Sequence, residues 1–260
     1  MNRIDTTFKK LKEQNKKALI PFITAGDPNY TTTEELVLEM EHQGANIIEL
    51  GVPFSDPVAE SPAIQASNLR SLQGGTTLTG IFKMIKKLRT KTQVPLVLMM
   101  YMNTIYRFGT ERFFTLCAET GIDAVIVPDL PLEEHDEIEA YANTHGIYPI
   151  HLIAPTSKER IASIAANSKG FLYCVSSTGE RSSFGTDMDS FFATVKQYSP
   201  VPYAVDFGIS TPEQATMLQA YCDGIIIGSS IVKIVSQKKE NSIPSVGTFV
   251  KSLRDALDKA

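Results

Sequence analysis

Glu49 sits in the run N-I-I-E-L-G-V-P-F, where nearly every neighbour is apolar. A carboxylate in such a run is costly, because burial disfavours its charged form unless something compensates. Glutamate also suits neither a strand nor a turn, so core packing gives no reason for it. Eleven residues later comes a second acid, Glu60, in the stretch S-D-P-V-A-E-S-P. One carboxyl at the end of a strand and another in the loop that follows is a recurring arrangement for acid–base chemistry on an α/β scaffold.

The elements that must carry these acids can be read from period and breakers. Apolar strands are expected at residues 18–26, 46–52, 95–101, 124–127, 148–153, 171–175, 203–205 and 224–227. Helical spacing falls between them, at 32–43, 63–72, 78–89, 111–120, up to about 144, 158–167, 188–197 and 212–220. A short helix at 229–235 and a last one at 246–257 complete the order. Eight continuously apolar strands, each followed by a helix, point to a parallel sheet covered on its outer face. At 260 residues the expected architecture is a single (β/α)8 TIM barrel spanning residues 1–260; an open doubly wound sheet is the alternative.

Composition narrows the class. The chain is 43% hydrophobic and 21% charged, with a net charge of −4, which argues against nucleic acid or an anionic membrane as partner. The N-terminal residues lack an apolar signal core and no run reaches the length of a membrane span, so a cytoplasmic protein is expected. Cys117, Cys174 and Cys222 are far apart in apolar contexts and read as reduced core residues. The four histidines show no metal-ligand spacing, so no metal is expected, and His151 reads as a core or rim residue. The lysine clusters near Lys9–Lys17 and Lys86–Lys91 read as solvated helix faces.

In such a barrel the working face is built from the carboxyl ends of the strands. Asp27, Glu49, Asp56, Glu60, Tyr101, Asn103, Asp129 and Asp206 each end or follow a strand. Asp27 and Asp129 each stand beside a proline and equally suit ordinary turns. A phosphate seat can be argued across the mouth, where D-F-G-I-S-T and I-I-I-G-S-S place Gly208, and Gly228 with Ser229, after the last two strands. Backbone N–H groups at a helix start, approached closely through glycine, bind phosphate well. Two ordinary tight turns are the alternative. The polar loop S-S-T-G-E-R-S-S-F-G-T reads as a lid or as a passive surface loop.

Five segments resemble the tryptophan synthase alpha chain family: E-L-G-V-P-F-S-D-P-V-A, M-Y-M-N, P-D-L-P-L-E-E, F-G-I-S and G-S-S-I-V-K. The likeness is collinear from about Phe8 to Leu257. It implies a barrel lyase of amino-acid biosynthesis that splits indole-3-glycerol phosphate into indole and glyceraldehyde 3-phosphate. It also implies a beta chain partner, in an alpha–beta heterotetramer, that carries the pyridoxal phosphate (PLP); this chain itself needs no cofactor. By resemblance Glu49 is the general acid–base residue, and Glu60 stands where an aspartate holds the indole N–H. Phe22, Tyr101, Ile153 and Tyr173 match indole-lining positions. Asp129 matches a further substrate-binding position. Phe207, Gly208, Gly228 and Ser229 match the phosphate site, Gly179 and Arg181 fall in the lid loop, and the Asp56 loop matches the beta-chain surface.

Three positions depart from the family pattern. Glu60-Ser61 replaces Asp-Gly, which moves a carboxylate by roughly 1 Å, a displacement that can cost about 10²-fold in rate. The lid loop is about three residues short around Gly179 and lacks its threonine. Asp206 replaces a glycine beside the phosphate site, where a carboxylate repels a dianion. An active lyase is therefore expected. The alternatives are a weakened barrel serving as a binding or regulatory subunit, or an enzyme for another phosphorylated substrate.

Overall fold

A computed structural model describes residues 2–176 and 186–259. Gly179 and Arg181 of the expected lid lie outside the described residues. The strands are β1 Ala18–Thr24, β2 Ile48–Gly51, β3 Leu96–Met99, β4 Ala124–Ile126, β5 Tyr148–Ile150, β6 Leu152–Ile153, β7 Leu172–Val175, β8 Tyr203–Asp206 and β9 Gly224–Ile227. Their order around the sheet is β5-β4-β3-β2-β1-β9-β8-β7-β6, with each neighbouring pair parallel. The two ends of that order, β5 and β6, flank one residue, His151, so the expected fifth strand is two segments that join the ends of the sheet into a barrel. The His151 carbonyl accepts from the Tyr173 N–H at 3.0 Å and carries the pairing across the break.

Side chains alternate along each strand. Leu19, Ile48, Leu50, Leu98, Cys174, Val205 and Ile225 join the cluster of helix residues that includes Leu36, Val37 and Ile81. Their alternates Ala18, Ile20, Ile47, Val97, Ile126, Tyr173, Ala204 and Ile226 form a separate cluster, which is the barrel interior. Glu49 is two residues beyond Ile47 and so points inward. Asp206 is two residues beyond Ala204 and does the same.

The helices are α1 Arg3–Glu13, α2 Tyr30–His42, α3 Pro62–Gln73, α4 Leu78–Leu88, α5 Met102–Phe108, α6 Thr110–Thr120, α7 Asp136–His145, α8 Ile161–Ala166, α9 Thr186–Tyr198, α10 Pro212–Leu218, α11 Ser229–Lys238 and α12 Ser242–Asp258. Helix α1 brings Ile4, Phe8 and Leu11 into the interior cluster, with the Phe8 ring 5.8 Å from Phe171. It plugs the end of the barrel away from Glu49. Beside it Asp123 accepts from Arg3 at 2.9 Å and from Arg89 at 3.0 Å. That face is built for stability, which leaves the opposite end for chemistry.

Two other polar groups are structural. Asp27, 4% exposed, accepts from Arg70 at 3.0 and 2.6 Å and from the Ser67 hydroxyl, tying the turn after β1 to α3. His151 and His135 stack with ring centroids 4.2 Å apart in the helix layer; burial holds both imidazoles below their ordinary pKa, His151 at about 4.

Candidate active site

The cleft at the carboxyl end of the barrel has a volume of about 710 Å³. That is the size range of small-molecule pockets. Phe22, Glu60, Ile153, Tyr173, Gly208, Gly228 and Ser229, drawn from six different strand–loop units, line it. Asp206 and Ser61 line it as well.

Phe22 faces the cleft because its neighbours in the sheet give way. A Cβ on Gly51 of β2 would lie 2.5 Å from the Phe22 ring, and one on Gly228 after β9 would lie 3.3 Å from it. The ring therefore lies across two glycines, one on each flanking strand, and forms a flat apolar wall beside Met99 and Ile64.

Glu49 is paired in register with Phe22 on one side and Val97 on the other. It is 0% exposed, and neither carboxyl oxygen has a hydrogen-bond partner. Burial, then the nearby charges of Asp206 and Glu60, hold its pKa well above the carboxylate range. Burial of an unpaired carboxyl favours its protonated form, the form that can donate.

Glu60 stands on the loop between β2 and α3. Burial and the Asp206 charge push its pKa to about 7. Glu60 on the cleft wall and Glu49 beneath it, both raised above the ordinary carboxylate range, are a pair able to give and accept protons.

Asp206 ends β8. Its Oδ2 accepts from the Tyr173 hydroxyl at 3.0 Å. Burial raises its pKa, and the Tyr173 hydroxyl and the nearby Gly208 N–H oppose the rise. After the neighbouring strand β9, Ser229 opens helix α11 directly after Gly228. Its hydroxyl shares a hydrogen bond of 2.7 Å with Ser61, the N-cap of α3.

Three singled-out residues stand back from the cleft wall. Tyr101 accepts from the Ala59 N–H at 2.9 Å and stacks on Phe54 with centroids 4.8 Å apart, so it braces the Glu60 loop. Asp129 is exposed and accepts from the Met102 N–H at 2.9 Å, capping α5. Phe207 packs its ring 5.8 Å from Phe192 in the outer layer. Sequence reasoning passed over Met99, Leu152 and Val175, which also line the cleft. Their signal was available: each lies two residues from an inward-facing position. Among the described residues no group of three or more His, Cys, Asp or Glu side chains is arranged to hold a metal ion.

A family profile for the tryptophan synthase alpha chain matches residues 8–258, nearly the whole length. The chain belongs to the tryptophan synthase alpha chain family.

Relatives carry the same description at full length. The tryptophan synthase alpha chain of Thermoanaerobacter sp. (strain X514) is 47% identical over 262 residues, covering 99% of this chain and 100% of its own. That of Clostridium kluyveri is 44% identical over 263 residues, with 99% and 100% covered. Among solved structures, tryptophan synthase subunit alpha from Legionella pneumophila str. Paris superposes with a TM-score of 0.92 at 35% identity, covering 100% of both chains.

Proposed function

We propose that this chain cleaves indole-3-glycerol phosphate to indole and glyceraldehyde 3-phosphate, as the alpha subunit beside a PLP-carrying beta chain. The observation that carries the reading is the buried, unpaired Glu49 carboxyl in register with Phe22, near a second carboxyl set at about neutral pH.

The reaction is a retro-aldol cleavage. The indole ring lies against Phe22, with Ile153 and Tyr173 closing the cleft around it. Glu49 gives its proton to ring carbon 3 while Glu60 accepts the proton of the ring N–H. Glu49, now a carboxylate, takes the proton of the glycerol hydroxyl next to the ring. The bond between ring carbon 3 and the side chain then breaks. Its electron pair returns to the ring, the former hydroxyl carbon becomes an aldehyde, and the ring nitrogen recovers a proton from Glu60. Protons and electrons balance with no external oxidant. The phosphate rests on the backbone N–H groups that open α11, with Ser229 at that helix start and Gly208 on the neighbouring turn after β8.

The Asp56 loop is the surface offered to the beta chain; Asp56 is exposed and Val58 beside it is 84% exposed. The described helices include none long and apolar enough to cross a membrane, and a biosynthetic role of this kind places the chain in the cytoplasm.

The test is direct. Purified chain is incubated with indole-3-glycerol phosphate, alone and with a beta chain, and indole and glyceraldehyde 3-phosphate are quantified. The proposal expects equal amounts of both, rising when the beta chain is present. No indole under either condition removes it.

A further inference from the structure

We infer that Asp206 is an internal competitor for the anion seat: its carboxylate, held by the Tyr173 hydroxyl, lines the same cleft as Gly208, Gly228 and Ser229, and an incoming dianion is accepted only as Asp206 takes up a proton. The inference rests on the reading of this turn as the phosphate seat and names the residue that regulates it.

The placement is forced by the backbone. Asp206 is the last residue of β8, at an inward register beside Val175 of β7. Tyr173, two residues earlier on β7, also points inward, so its hydroxyl reaches the carboxylate. Gly208 has φ +68°, the left-handed region that only glycine enters at little cost. That turn sets its N–H near the Asp206 carboxylate. The protein's own carboxylate thereby stands beside a backbone donor that a phosphate oxygen could take. The Ser229 hydroxyl is occupied by Ser61.

Charge sharpens the competition. Among the described residues the cleft wall has two carboxyls, Glu60 and Asp206, and neither lysine nor arginine. Glu49 lies beneath, close enough for the Asp206 charge to act on it. The groups facing Asp206 are thus Glu49 from β2, Glu60 from the loop before α3, Tyr173 from β7 and the Gly208 N–H from its own turn. A dianion entering this set meets only negative or neutral side chains. Protonating Asp206 removes the nearest charge. Burial, which already disfavours the charged form, lowers the cost of that protonation.

Inorganic sulfate is the suitable probe, because it stays a dianion throughout the neutral range. Calorimetric titration of the full chain in buffers of different ionisation enthalpy counts the protons taken up. The expected result is net proton uptake on binding, with affinity falling as pH rises. In Asp206→Asn the proton uptake drops and the slope becomes shallower. Asp206→Gly, a second variant in case the amide distorts the turn, gives the same shallower profile and the tightest binding. Glu60→Gln removes the part of the fall that Glu60 contributes as it ionises near pH 7 and keeps the Asp206 part. Circular dichroism verifies that each variant is folded. A slope unchanged in both Asp206 variants overturns the inference while leaving the lyase reading to its own indole assay. Sulfate failing to bind the parent and every variant overturns it by removing the seat itself.

Discussion

Ser61 and Ser229 stand with their hydroxyl oxygens 2.7 Å apart, 168 residues apart in the chain, joining the start of α3 to the start of α11. The contact ties the loop carrying Glu60 to the helix start proposed to seat the phosphate. Ser61 also caps α3, with its hydroxyl 3.5 Å from the Ile64 N–H. Replacing it by glycine costs the cap only a few tenths of a kcal/mol and frees the Ser229 hydroxyl for a ligand. Shortening Glu60 at the same time draws its carboxylate back by about 1 Å, a distance worth up to about 10²-fold in rate. The double change Glu60→Asp with Ser61→Gly should raise indole turnover tenfold or more. A flat or falling kcat would show that the loop is already fitted to glutamate.

The pH dependence of kcat/KM should rise through about pH 7, where Glu60 becomes the carboxylate that accepts a proton. Burial also holds Glu49 well above the carboxylate range. Asp206 is the charge that lifts Glu60 after burial itself. Removing that charge favours ionised Glu60, so Asp206→Asn should move the rising limb to lower pH. A limb that stays in place would detach Asp206 from Glu60.

Glu49 also sets a stability trade. Its folded pKa lies above the unfolded value near 4.5, so the folded state binds more protons above that pH. Stability is therefore lost as pH rises from about 4.5 towards the folded pKa, by about 1.4 kcal/mol for each unit of difference. Glu49→Gln should melt higher than the parent at pH 8, with the gap closing near pH 4.5 on thermal scans. A variant that melts lower at pH 8 would mean that an unseen partner satisfies the carboxylate.

Asp27 tests the structural side. Truncating Arg70 to alanine leaves a nearly buried carboxylate with the Ser67 hydroxyl as its remaining side-chain partner. The guanidinium is 36% exposed, so the cost falls below that of a fully buried pair, at roughly 2 kcal/mol by urea titration. An unchanged midpoint would show that water replaces the arginine.

Much of this was legible in the chain. Glu49 stood out because a lone carboxyl in an apolar run has no packing explanation, and the βα alternation followed from period alone. Helix α1 was harder, because the lysines between Lys9 and Lys17 mask the apolar spacing of Ile4, Phe8 and Leu11. The break at His151 leaves no mark in an apolar stretch. Asp27 looked like a turn residue because its partner Arg70 is 43 residues away. Tyr101 and Asp129 follow strands but stand back from the cleft wall, and their hydrogen bonds run to the Ala59 and Met102 backbone, which residue type cannot reveal.

The central claim is that Glu49 supplies the proton that releases indole. Indole formation from indole-3-glycerol phosphate, measured for the parent and for Glu49→Gln with a beta chain present, tests it most directly. The account expects indole from the parent and a loss of at least 10²–10⁴-fold in a variant that remains folded. A folded Glu49→Gln protein releasing indole at the parental rate would contradict it.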